Sequence, residues 1–143
     1  MSATVYDTAV QRFLEGRVDW QNDTFKVLLA TSDYQPDASG DDSRLDVIDA
    51  EVKPSGTYVR GGAPLTGRDI SRPFPLSVRL TAGRVSWDGF TGSFRYAVVY
   101  QAVGDPALDT LIVTTDLGFQ SASNARVTLE YDRDGVCEFN VMS

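Results

Sequence analysis

Apolar residues along this chain recur with two different periods, and the switch between them divides it. Before Gly16, the residues Tyr6, Ala9, Val10, Phe13 and Leu14 fall at the three/four spacing of one helix face, with Asp7, Gln11, Arg12 and Glu15 opposite. Thr4 with Asp7 makes a capping pair and Gly16 a left-handed stop, so the pattern predicts a helix within 1–16. A helix this short is marginal alone, so its stripe must dock on the domain's own sheet or on a neighbouring subunit.

After Gly16 the period falls to two. Residues 24–31 (TFKVLLAT) predict a strand with Phe25, Val27 and Leu29 on one face, followed by a long polar loop, SDYQPDASGDDS. Residues 45–52 suit either a helical turn or an irregular strand. The glycine-rich 56–67 leaves room for one short strand at 58–60. Leu76, Val78 and Leu80 alternate with Ser77, Arg79 and Thr81, and Ala82-Gly83 reads as a tight turn into a strand at 84–87.

The longest alternating run is 93–103 (SFRYAVVYQAV). Tyr96, Val98 and Tyr100 share the core face, with Arg95, Ala97, Val99 and Gln101 on the other. Ala97 and Val99 are too apolar for open solvent, so that face is expected to be covered by another layer or by a neighbouring subunit. Residues 108–115 are apolar on both faces, as in a central strand, and 126–131 alternate again. The sequence Asp132-Arg133-Asp134-Gly135 then turns the chain into a last strand, 136–141.

Strands about a dozen residues apart with turn signals between them predict a mainly β fold. The expectation is one domain, 1–143: a short N-terminal helix (1–16) followed by an antiparallel β-sandwich or barrel-like unit (24–143). The candidate interface residues are Tyr6, Val10, Phe13 and Leu14 on the helix, with Arg95 and Val99 on the second face of the long strand.

Composition narrows the chemistry. The formal charge is −7, from 13 Lys and Arg against 20 Asp and Glu, which repels phosphate backbones and anionic membranes; neither nucleic acid nor membrane is expected as a partner. Histidine is absent and Cys137 is the one cysteine, which removes the usual general base, the Ser-His and Cys-His pairs and a zinc site. Gly61-Gly62 lacks the Lys and helix of a phosphate loop.

Asp33, Asp37, Asp41, Asp42 and Asp46 are the one dense acidic cluster, without the calcium-loop spacing, and read as a solvated loop. Cys137 alternates with Phe139 and Val141 and is expected to be a buried, unreactive thiol. No catalytic, cofactor or metal site is therefore assigned, and no enzyme is expected. Trp20, Tyr34, Tyr58 and Trp87 would suit a carbohydrate-binding surface if their rings were exposed. The opening has neither a basic nor an apolar region of a secretory signal, so folding in a cytoplasm is expected.

Three blocks resemble small structural proteins encoded by tailed phages and prophages. In DTFKVLLATSDYQPD the matching residues are Asp23, Thr24, Lys26, Val27, Leu29, Thr31, Ser32, Tyr34, Pro36 and Asp37. In EVKPSGTYVRGGAPL they are Glu51, Val52, Gly56, Tyr58, Gly61, Gly62 and Leu65. In VSWDGFTGSFRYAVVY they are Val85, Trp87 and the run from Arg95 to Tyr100. The blocks lie in the family's order and cover most of the chain, although the loop after Tyr34 is more acidic than the family pattern.

The resemblance implies a virion component without enzymatic activity, located in the particle after assembly in the host cytoplasm. A capsid decoration or cement protein is the first expectation; a neck, tail or baseplate component, or a fibre anchor, is the alternative. The implied partners are the major capsid protein or neck and tail proteins, and further copies of the chain in a homo-oligomer such as a trimer.

Overall fold

The computed structural model describes residues 2–36, 49–72, 75, 77–105, 108–131 and 135–140. Most of the acidic loop, the turn at 132–134 and Val141 lie outside these residues. Among them the order is β1 (Ser2–Val5), α1 (Asp7–Leu14), β2 (Phe25–Ala30), β3 (Ala63–Pro64), β4 (Asp69–Ser71), β5 (Ser77–Thr81), β6 (Val85–Gln101), β7 (Thr110–Leu129) and β8 (Cys137–Asn140). One antiparallel sheet has the order β1-β7-β6-β2-β3 and a smaller one the order β4-β5-β8, a sandwich-like pair of layers. The fold is mainly β and antiparallel, as the periodicity predicts.

Four details differ from the expectation. The expected short N-terminal helix forms as α1, but a strand precedes it: β1 pairs with β7 from Ser2 opposite Asp116 to Val5 opposite Val113. Thr4 lies in that strand, so the N-cap falls on Tyr6, in extended conformation and without a side-chain cap. Second, Ala82-Gly83 is no hairpin. The Gly83 N–H donates to the Thr66 carbonyl at 2.8 Å, and the chain changes layers there, leaving β5 paired with β4 and β8.

Third, 84–87 and 93–103 fuse into β6, and 108–115 and 126–131 fuse into β7. The residues between them read as turns, yet Gly89, Gly92, Gly118 and Asn124 take positive φ inside the strands, with register shifts between Trp87 and Phe90, Phe90 and Gly92, and Phe94 and Tyr96. These are bulges that bend a paired strand without ending it. Fourth, no strand forms at 58–60; Tyr58 closes a turn on Ser55.

The three central strands are buried on both faces. Leu28, Val98 and Thr114 lie opposite one another, and on that face the Tyr6 hydroxyl bonds Thr114 at 2.8 Å and also meets the Tyr34 hydroxyl. The Tyr34 ring packs edge-on against Tyr96, with centroids 5.8 Å apart. On the opposite face, carrying Phe25, Val27 and Leu29, Trp20 packs on Phe25 at 4.8 Å. Its indole N–H donates to the carbonyls of Asp69 (3.1 Å) and Thr81 (3.2 Å), tying the small sheet to the large one. Ala97 and Val99 lie opposite Leu29 and Val27 on this face and are fully buried, so a layer of the same chain covers them.

Candidate assembly surface

The outer edge of β2 is closed by a loop, and this explains the second sequence block. Val52 N–H donates to the Leu29 carbonyl at 3.0 Å, so the described end of 45–52 is extended and runs beside β2. The Leu29 N–H, with no backbone partner there, donates to the Tyr58 hydroxyl at 3.0 Å. That hydroxyl donates in turn to Glu51 at 2.8 Å, and Glu51 also accepts the Gly61 N–H at 2.7 Å. Burial, foremost, and the Glu51 charge push the Tyr58 hydroxyl far above its usual range, so it stays a donor at any ordinary pH.

Gly62 sits so close to β2 that a Cβ would lie 1.9 Å from the Val27 carbonyl oxygen; a Cβ on Gly56 would lie 2.0 Å from that of Asp88. Both also have positive φ, which glycine alone adopts freely. Arg68 performs a similar task on the other side: its guanidinium donates to the carbonyls of Trp20 (2.8 Å), Leu65 (2.5 Å) and Asp23, and lies 4.9 Å from the Phe25 ring centroid. Its role is invisible to periodicity, because a half-buried arginine in a loop carries no pattern.

The candidate interface residues scatter. Tyr6 and Val99 belong to the core, Val10 and Phe13 are half-buried, and Leu14 alone points outward, at 84% exposure. Arg95 finds its carboxylate within the chain: Nε and Nη2 reach the two oxygens of Asp116 at 3.0 and 2.9 Å, and its guanidinium lies 5.2 Å from the Tyr96 ring centroid. The hydrogen bond to Arg95, with a second from the Gly118 N–H, holds the Asp116 carboxyl below the usual carboxylate range, and the same pair raises Arg95. Trp20, Tyr34, Tyr58 and Trp87 are all buried, so none offers a ring face to a sugar.

What periodicity does not reveal is a two-stranded ribbon, formed where β6 and β7 run on beyond the reach of β1 and β2. One face is packed by Val85, Trp87, Phe90 and Phe94, with Tyr58 against Trp87 (5.3 Å) and Phe90 (5.8 Å). The outer edge of β6 is covered: Thr57 exchanges two hydrogen bonds with Asp88 (2.9 and 2.8 Å), and Ser55 two with Thr91 (3.2 and 3.0 Å).

Among the described residues the outer edge of β7 has no such cover. β1 accompanies it only to Asp116; beyond that, the Gly118 N–H turns back to Asp116 and the Leu117 carbonyl accepts from the Gln120 amide. Among the described residues nothing pairs with the outer edge from 119 to 123. Phe119 is 68% exposed there, beside a groove of about 540 Å³ lined by Phe94, Leu117, Ala122, Ser123, Ala125 and Val127, among others.

A second hollow of about 430 Å³ is lined by Asp33, Asp49, Glu51 and Lys53 with neighbouring polar residues. Among the described residues no group of three His, Cys, Asp or Glu side chains is placed to hold a metal ion, and no helix is long and apolar enough to cross a membrane. No protein-family model, curated protein or solved structure matches the chain.

Proposed function

We propose that this protein is a non-enzymatic structural component of a tailed-phage particle, and specifically a decoration protein that stabilises the head by adding contacts between capsid subunits. The observation that carries the reading is the uncovered edge of β7 with its exposed Phe119 and adjoining groove. A strand edge left open beside apolar surface is a template for pairing with another chain. The sequence blocks that resemble phage structural proteins support it: Glu51, Tyr58, Gly62, Trp87 and Tyr96 all serve to hold the scaffold that carries this edge. The charge of −7 also suits a protein that works on the outside of a shell and does not compete for the packaged genome.

The test is the composition of purified particles. A decoration protein is present in hundreds of copies, and its loss leaves heads that break at lower temperature. A count of roughly a dozen or fewer moves it to the neck, tail or baseplate, where ring symmetry sets the number. Its absence from particles overturns the reading.

A further inference from the structure

We infer that the free edge of β7 pairs with the same edge of a second copy, antiparallel and about a two-fold axis through Ser121. The inference deepens the assembly reading by naming the partner of that surface, but it stands on backbone geometry.

The two positive-φ residues of β7, Gly118 (φ 71°) and Asn124 (φ 47°), interrupt its edge at equal distances on either side of Ser121. Between them Gln120, Ser121 and Ala122 pair in unbroken register with Phe94, Ser93 and Gly92 of β6, with a register shift on either side, and their outer side is unpaired among the described residues. An isologous pairing matches each residue with its mirror about the axis. Centring on Ser121 sets the regular stretch 120–122 fully against 122–120 of the second copy, with Phe119 and Ser123 flanking it on either side. Any other centre shortens the regular overlap or drives a bulge into it. β1 ends at Asp116 and so leaves this stretch clear.

Side chains agree with that register. Phe119 meets Ser123 of the second copy, a small residue lining the groove, so the exposed ring has room to lie across it. Gln120 meets Ala122, and Ser121 meets itself. No residue from 117 to 125 is charged, and the nearest charges are already neutralised within the chain, Asp116 by Arg95 and Arg126 by Asp88 at 2.7 Å. On a chain of net charge −7 this is a stretch where two copies can touch without bringing like charges together. Two neighbouring edges of the large sheet are covered, β6 in the ribbon by Ser55 and Thr57, and β2 by β3 and Tyr58.

Sedimentation of the purified full chain tests this. The expected species has twice the monomer mass of 15.6 kDa. Ser121→Lys puts two like charges face to face at the axis and should weaken association by about tenfold or more, with the circular dichroism of the parent retained. Opposed residues of an antiparallel pair lie about 4.5 to 5.5 Å apart at Cα, within disulfide reach. Ser121→Cys should therefore oxidise quantitatively to a covalent dimer, while Ser123→Cys, whose mate lies several residues along the strand, should not. A parent that stays monomeric at roughly 100 μM, where even a micromolar pairing is complete, overturns the pairing. So does a Ser123→Cys protein that cross-links as readily as Ser121→Cys. A monomer that is nevertheless found in particles rejects the pairing and leaves the virion reading standing; a two-fold dimer absent from particles does the reverse.

Discussion

Cys137 tests how far the environment of one side chain can be read from its neighbours. It is buried, and burial alone pushes its thiol up to about 12. The thiolate is the reactive form, so the native protein should resist a thiol reagent at neutral pH and react only on unfolding; labelling as rapid as that of a free thiol would place the residue elsewhere. Asp116 works in the opposite sense. Its folded carboxyl is depressed, chiefly by Arg95, so the stability it contributes is present above the ordinary aspartate value and lost as pH falls through the lower folded one. In Asp116→Asn that contribution is missing at every pH. The gap between parent and variant unfolding midpoints should then be largest well above the ordinary aspartate value and close as pH falls through the lower folded one. A gap that stays constant would mean the ion pair does not set the effect. Arg95 is legible in the sequence only as a candidate interface residue on the second face of its strand; that it pairs with a carboxylate on the adjacent strand of its own chain is not, because strand pairing is a long-range property.

At the scale of elements, alternation located the buried stretches well and their ends poorly. The runs around Leu28, Val98 and Val113 form the central strands, whose β-branched and apolar residues are buried on both faces of the large sheet. Gly89, Gly92, Gly118 and Asn124 lie in the stretches between the expected strands, and the positive φ that serves a turn serves a bulge equally. Two pairs of expected strands are in fact two long ones, and the ribbon went unseen with them. The 51–62 loop was unreadable for another reason: its structure rests on a buried carboxylate and a hydroxyl, not on a period. Glu51→Ala tests that account. It leaves the Gly61 N–H and the Tyr58 hydroxyl without their acceptor, and should lower stability by about 2 to 4 kcal/mol in denaturant unfolding. Glu51→Gln keeps an acceptor and should recover much of the loss. If both variants match the parent, the loop is held by something else.

For the whole molecule, net charge and local surface pull in opposite directions, and salt separates them. Two copies of a chain carrying −7 repel one another at long range, while the β7 edges that meet in the proposed pair carry no charge from 117 to 125. The screening length is about 30 Å at 0.01 M salt and about 8 Å at 0.15 M, so added salt removes the long-range repulsion and leaves the backbone hydrogen bonds and the Phe119 contact largely untouched. Self-association should therefore strengthen on going from low to physiological salt. A partner that recognised the protein through its acidic surface, such as a basic peptide, would show the reverse, because the attraction itself would be screened. The same sedimentation run at two salt concentrations distinguishes them: a dimer that loosens as salt rises would mean that ion pairs across the interface hold the copies together, and that the uncharged edge of β7 is not where they meet.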